Sequence, residues 1–106
     1  MKTYHVHRTT QGVICKVLEE DNAYHLMHLV HHSPDGFEYG YGGSGPSDLA
    51  RSIVGDFLHT REPDPRIYQE FKWAFVANQR GPEFMITEDE IDTWMSDNQL
   101  YQIMQG

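Results

Sequence analysis

The glycine-rich stretch His32–Leu49, HSPDGFEYGYGGSGPSDL, constrains the fold of this chain more than any other segment. It holds five of the nine glycines and two of the five prolines of the 106-residue sequence. Glycine loses more conformational freedom on folding than any other residue, so a dense run indicates a backbone that needs unusual dihedrals or a close approach. Three aromatic residues, Phe37, Tyr39 and Tyr41, alternate through the run. The stretch therefore predicts a tight connection between two elements and a candidate site.

The residues before the glycines alternate with the period of β-strands. This alternation predicts strands at Thr3–Arg8, Val13–Leu18 and Tyr24–His31, joined by turns rich in glycine, aspartate and asparagine. The tetrapeptide Ser33-Pro34-Asp35-Gly36 has the composition of a β-turn. We therefore expect Phe37–Tyr41 to form a short fourth strand that pairs back on the third.

The residues after the glycines have helical spacing. Apolar residues recur every four positions in Ser47–His59, which predicts an amphipathic helix with Ser44 or Gly45 as its N-cap. Pro46 suits the first turn of that helix, where its missing N–H costs nothing. A broad apolar face in Ile67–Ala77 predicts a second helix.

The end of the sequence adds a third helix and completes the fold class. A short extended segment is expected around Phe84–Ile86, and the T-x-x-E pair Thr87 and Glu90 is typical of the capping box that begins a helix. The prediction is an α+β fold in which a small antiparallel sheet of three to four strands, in the N-terminal half, packs against about three α-helices in the C-terminal half. Residues 1–106 are expected to form a single domain.

Composition excludes several classes of function. The formal net charge of −8 makes binding to a DNA or RNA backbone unexpected, because that mode depends on clustered lysine and arginine. An acidic surface suits solubility or a basic partner. No apolar run is long enough for a membrane span, and the first residues lack the apolar region of a secretory signal. The lone Cys15 fits a reducing compartment, so a cytoplasmic protein is expected.

The glycine run itself is the candidate binding site. Free backbone N–H groups and the positive end of a helix dipole together attract anions, and exposed aromatic rings stack on planar groups. The candidate ligand-binding residues are Tyr39, Tyr41, Gly42, Gly43, Ser44, Gly45 and Ser47, with His32, Asp35 and Glu38 in support. The alternative is a purely structural turn, with the three rings in the core under the next helix. The glycines Gly40, Gly42 and Gly45 have the spacing G-x-G-x-x-G, but no predicted parallel βαβ unit surrounds them, and no lysine follows the run as in a Walker pattern.

Catalysis and metal binding have weaker support in the sequence. Seven histidines are present, but there is no H-E-x-x-H or C-x-x-C pair, so neither a metal nor a cofactor is expected. No serine lies in a G-x-S-x-G elbow. A metal-dependent hydrolase would have to use His25, His28, His31 or His32 with Asp35 and is the least favoured alternative. Binding is favoured over catalysis, although the sequence leaves enzymatic activity and oligomeric state open.

Several segments resemble one family. The run HSPDGFEYGYGGSGPSDLARSIVGDFL, His32–Leu58, is similar to the H-S-P-x-G-F-E-W-G-Y-G-G-S-G-P-A motif of small uncharacterised proteins of bacteria and their phages, a domain of unknown function. Ile67–Ala77 and Ile86–Ile91 also resemble that family, so the likeness extends from about Tyr4 to Trp94. The sequence departs from the motif at Tyr39, where tryptophan is usual, and at Ser47, where alanine is usual.

The resemblance implies no activity, because the family has none established. Its frequent phage setting implies an accessory or host-interaction role. The leading hypothesis is a non-catalytic binding protein, encoded by a phage or mobile element, that takes a small anionic or nucleotide-like ligand at the glycine loop. The alternative is an acidic protein-interaction module or an inhibitor of a host nucleic-acid-binding or defence protein.

Overall fold

A four-stranded antiparallel sheet forms one layer of the structure, a computed structural model that describes residues 1–29 and 36–105. The strands are β1 (Lys2–Thr9), β2 (Gly12–Glu19), β3 (Asn22–His25) and β4 (Glu83–Thr87). Their order across the sheet is β3-β2-β1-β4, and each neighbouring pair is antiparallel. The last strand in sequence therefore lies beside the first.

The sheet buries one face because its apolar residues recur with period two. Tyr4 of β1 pairs with Val17 of β2 and Ile86 of β4, so three buried side chains lie side by side. Gly12, which begins β2, has φ +124°, a value that side-chain-bearing residues rarely adopt. The glycine thereby allows the short hairpin between β1 and β2.

Helices cover the buried face of the sheet. They are α1 (Ser44–Leu58), α2 (Pro65–Phe71), which continues into the π-helical turn Lys72–Val76, and α3 (Glu88–Asp97), followed by the 3₁₀ helix Leu100–Gln105. At the starts of α2 and α3, side chains accept hydrogen bonds from free backbone amides. The Asp64 side chain accepts from the Arg66 amide at α2, and the predicted capping box of Thr87 and Glu90 is present at α3.

One hydrophobic cluster joins the sheet to the helices. Its fully buried members include Tyr4 and Val17 from the sheet, Leu49 and Ile53 from α1, and Phe71 from α2. The Phe71 ring lies 5.6 Å from the Trp94 ring of α3 in an edge-to-face arrangement. The predicted α+β class is thereby confirmed.

Two strand predictions are corrected. The third strand ends at His25: the Leu26 amide still donates to the Cys15 carbonyl, but the Leu29 amide donates to Ser52 Oγ on α1. The chain thus leaves the sheet early for the helix. The prediction of a strand at Phe37–Tyr41 is wrong, and the fourth strand is instead β4.

The physical reason lies at Gly40. Its φ is +91°, which interrupts an extended strand, and its amide donates to the Val76 carbonyl rather than to a strand. The N-cap of α1 is Gly43 rather than Ser44 or Gly45, and no side chain caps it. The predicted turn at 33–36 and the end of the predicted third strand lie at least partly outside the described residues.

Candidate functional site

Close approach by side chains explains the density of glycines. A Cβ at Gly42 would collide with the Trp73 ring, and one at Gly43 would lie 2.5 Å from the Tyr41 ring. At Gly45 a Cβ would lie 2.7 Å from the Glu38 Cβ. Lys72 also fixes the glycine run, because its Nζ donates to the Gly42 carbonyl at 3.2 Å. These glycines therefore admit neighbouring side chains against the backbone.

The start of α1 offers few of the amides that the predicted anion cradle requires. The Ser47 amide makes the first helical bond, to the Gly43 carbonyl at 3.1 Å, and Pro46 has no N–H. Gly45 is buried beneath Glu38. Ser44 is the exposed position of this turn.

A polar cleft lies on the other side of the loop. We call it the arginine cleft; it encloses about 470 Å³, and its wall includes Arg8, Glu38, Gly40, Tyr41, Arg80 and Gly81. Two cations at one cleft are notable in a chain with eight basic and sixteen acidic residues. Because the cleft is mostly polar and open to solvent, it suits a small charged ligand.

Arg80 is fixed by the backbone and keeps donors for a ligand. Its Nη1 donates to three carbonyl oxygens, those of Gly40 at 3.3 Å, Ala77 at 3.4 Å and Gln79 at 3.0 Å. Among residues 1–29 and 36–105, no carboxylate lies within ion-pair distance of this guanidinium. The Nε and Nη2 groups, which make no hydrogen bond to the described residues, leave a fork that matches carboxylate and phosphate oxygens.

Arg8 borders the same cleft from the sheet. Its Nη1 donates to Glu38 Oε1 at 2.8 Å and its Nη2 to the Tyr39 carbonyl at 3.3 Å. The guanidinium carbon lies 4.2 Å from the centre of the Tyr39 ring, within cation–π distance. Glu38 thus neutralises Arg8, so Arg80 is the stronger anion-binding group of the two.

The three alternating aromatics do not share a face. Phe37 and Tyr39 are buried, and the Tyr39 hydroxyl donates to the Gly81 carbonyl at 2.9 Å. Tyr41 is 52% exposed and lines the arginine cleft. One ring therefore remains available to stack on a planar ligand.

The structure separates the predicted site residues. Tyr39, Tyr41 and Glu38 line the arginine cleft, whereas the segment Gly42–Ser47 forms the loop and the start of α1 behind it. The candidates His32 and Asp35 lie outside the described residues. Sequence reasoning missed Arg8 and Arg80; the available signal was a charge at the end of the buried alternation Tyr4, Val6, Arg8.

His28 has local partners, and Cys15 is buried. His28 Nε2 lies 3.1 Å from Oδ2 of the buried Asp48, and its ring stacks on Phe37 at 4.3 Å. Burial raises the pKa of the Cys15 thiol to about 12, which keeps it protonated and weakly nucleophilic. In the described ranges no three His, Cys, Asp or Glu side chains are grouped to hold a metal ion.

Asp56 forms a polar network at the far end of α1. Its Oδ1 accepts from the Tyr4 hydroxyl at 2.6 Å and from Lys2 Nζ at 3.1 Å, and its Oδ2 accepts from the Tyr24 hydroxyl at 2.6 Å. The carboxylate thereby joins α1 to β1 and β3. Burial, together with the bond to Asp56, raises the pKa of Tyr4, and the same causes raise that of Tyr24.

This network predicts a loss of stability in alkali. An unfolded tyrosine ionises near pH 10, whereas the folded protein holds the Tyr4 proton more tightly. The contribution is therefore complete below about pH 10 and is lost as the pH rises above that value. We expect the urea midpoint of the wild type to fall above pH 10 and that of Tyr4→Phe to fall less steeply. Equal slopes for the two proteins would contradict this assignment.

Comparison with known proteins identifies a family without assigning an activity. Residues 4–97 match the model of a family described as "Family of unknown function (DUF6166)". No curated protein and no solved structure matches the chain. None of the helices in the described ranges has the length and apolar composition needed to cross a bilayer.

Proposed function

We propose that this chain, which belongs to the DUF6166 family of unknown function, is a non-catalytic binding protein that takes a small planar anion in the arginine cleft. The observation that carries the proposal is Arg80. It is anchored through one nitrogen by three carbonyls and has no carboxylate partner among the described residues. The single buried cysteine suits a cytoplasmic protein.

The cleft supports a ligand with an acidic group and a flat ring. The Arg80 fork has the geometry to pair with carboxylate or phosphate oxygens, and the exposed Tyr41 ring offers a stacking surface in the same cleft. Gly40 makes this possible, because its positive φ lets the loop turn close to the Gln79 carbonyl. A volume of about 470 Å³ accommodates a nucleotide-sized ligand.

Non-catalytic binding fits the groups present. A guanidinium group is a hydrogen-bond donor without an acceptor and is poorly suited to general acid or base catalysis. Glu38, the acid of the cleft, is held by Arg8 at 2.8 Å and by the Tyr39 amide at 3.2 Å. The cleft therefore supplies recognition and charge neutralisation.

Calorimetric titration with AMP tests the proposal, with adenosine and inorganic phosphate as companion probes. We expect AMP to bind more tightly than adenosine, and Arg80→Ala to weaken AMP binding at least tenfold, because a charge-assisted fork is lost. Tyr41→Ala should weaken AMP while leaving phosphate unchanged, since it removes the ring only. Arg66→Ala is the matched control, because Arg66 is exposed and paired with Asp64 outside the cleft.

Two outcomes would refute this function. Either AMP binds no better than adenosine, or Arg80→Ala and Arg66→Ala change its affinity equally. Thermal unfolding of each variant is measured alongside, because Arg80 also caps carbonyls at the end of the π-helical turn. Arg80→Lys retains the charge without the fork and should give an intermediate affinity.

A further inference from the structure

A second cleft lies between α3 and the end of the helical segment that follows α2. It encloses about 450 Å³, and most of its wall is apolar. The rings of Phe75 and Trp94 form its floor, with centres 5.5 Å apart in an edge-to-face arrangement. Asp89, Thr93 and Asp97 lie along its rim at intervals of four residues. We call this cleft the α3 groove.

The charges of α3 repel one another. Its ten residues, EDEIDTWMSD, contain five acids and no base. Glu88 and Asp92 are four residues apart, a spacing at which like charges destabilise a helix. Asp97 lies in the last turn, where the negative end of the dipole disfavours an acid and no basic residue compensates. These positions cost stability in the isolated chain.

Two of the rim carboxylates are available to a partner. Among the described residues, no cation lies within ion-pair distance of Asp89 or Asp97. Glu90 also borders the groove, but its Oε1 is occupied by the amide and hydroxyl of Thr87. Asp92 accepts from the Tyr101 hydroxyl and is absent from the groove wall.

We propose that the α3 groove binds a basic segment of a protein partner, with the aliphatic stems of its arginines on Phe75 and Trp94 and their guanidinium groups at Asp89 and Asp97. Charge complementarity decides the occupant, because the charged residues that line the groove are all acids and its floor is aromatic. Arginine suits both features, since it stacks on rings and pairs with carboxylates.

The spacing of the two acids limits the partner sequence. Asp97 lies eight positions after Asp89, which is about 12 Å along a helix axis. An extended peptide spans about 13 Å in four residues. An extended segment with arginines four residues apart therefore matches the rim. This site is independent of the arginine cleft, whose charge has the opposite sign.

Fluorescence titration of the full chain provides the test. The sequence has two tryptophans, so Trp73→Phe leaves Trp94 as a reporter within the groove. The probe is a twelve-residue peptide with two arginines four positions apart, and the control peptide carries glutamine at both positions. We expect the arginine peptide to cause a saturable, salt-sensitive change in Trp94 fluorescence, and the glutamine peptide to cause none.

Matched variants distinguish a groove from bulk charge. Asp89→Asn with Asp97→Asn should weaken the arginine peptide at least tenfold while the thermal midpoint changes little, because the loss of a favourable acid from the first turn of α3 is offset by the removal of an unfavourable acid from its last turn. Asp21→Asn with Glu62→Gln removes the same charge from exposed positions elsewhere and should change affinity less than twofold. The proposal is overturned if both pairs weaken binding alike, or if the wild type does not bind the peptide.

Sedimentation equilibrium tests the other occupant of the α3 groove, a second copy of this chain. If a second copy of this chain fills the groove, the protein dimerises and the rim variants change its dimerisation constant. That result would also overturn the proposal, whereas a monomer that binds the arginine peptide supports it.

Discussion

Replacing Tyr39 by alanine should lower the free energy of unfolding by about 3–5 kcal/mol, the range for aromatic truncation in a core. Tyr39 is 2% exposed, and its ring lies 4.9 Å from that of Phe84 in an edge-to-face arrangement. The change also leaves the Gly81 carbonyl without its hydroxyl donor. Removing this ring therefore detaches the glycine loop from β4 and opens a cavity beneath the arginine cleft.

Tyr41→Ala is the control for this effect. Tyr41 is two residues away and is half exposed, so its removal should cost no more than about 1 kcal/mol. Urea unfolding followed by far-ultraviolet circular dichroism measures both variants. Tyr39→Phe separates ring from hydroxyl and should lose about 1 kcal/mol, the net value of a typical hydrogen bond.

The contrast tests whether the motif tyrosines are core residues or ligand contacts. If Tyr39→Ala were as stable as Tyr41→Ala, the Tyr39 ring would not be packed as the structure has it. Since Tyr39 supports the backbone that holds Arg80, its loss should also weaken AMP binding. In the proposed function this weakening follows from unfolding of the loop rather than from lost stacking.

Local patterns in the sequence predicted local structure well. The alternation of Tyr4 and Val6 with polar neighbours gave β1, and the Thr87–Glu90 pair gave the start of α3, because strand period and capping depend on residues a few positions apart. The same alternation in Phe37–Tyr41 misled, since buried rings on an irregular segment have the pattern of a strand. The positive φ of Gly40 prevents this segment from forming a regular strand.

The arginine cleft was only partly predictable. Tyr39 and Tyr41 were recognised from the glycine motif. Arg8, however, lies 31 residues before Tyr39, and Arg80 lies 39 residues after Tyr41. The pairing of β1 with β4 aligns His7 with Glu83 and thus brings the two distant segments together. The local sequence does not predict that β1 pairs with the extended segment Phe84–Ile86, and so it does not place these cations beside the loop.

The two proposed sites also explain why net charge is a poor guide to partners. The chain carries −8 overall, yet its arginine cleft is positive and its α3 groove is negative. Local donors within hydrogen-bond reach determine what a cleft binds, whereas net charge acts over longer distances and is screened by salt. Each site therefore needs its own charge control in the experiments above.

Replacing Asp56 by alanine should lower the free energy of unfolding by about 3 kcal/mol. The Tyr4 hydroxyl, on a fully buried residue, would lose its acceptor, and a buried donor without a partner costs about 1–3 kcal/mol. Lys2 and Tyr24 would lose the same carboxylate. Because Tyr24 belongs to β3, hydrogen exchange should also accelerate in Asn22–His25.

Asp92→Ala is the matched control, because Asp92 accepts a tyrosine hydroxyl as Asp56 does but on the surface. We expect it to change stability by no more than about 0.5 kcal/mol, as is usual for surface substitutions. A double-mutant cycle completes the argument: Tyr4→Phe combined with Asp56→Ala should cost less than the sum of the single changes, since the unpartnered hydroxyl is gone. Strict additivity would show that Tyr4 and Asp56 do not stabilise one another, and the network would then owe its stability to Lys2 and Tyr24.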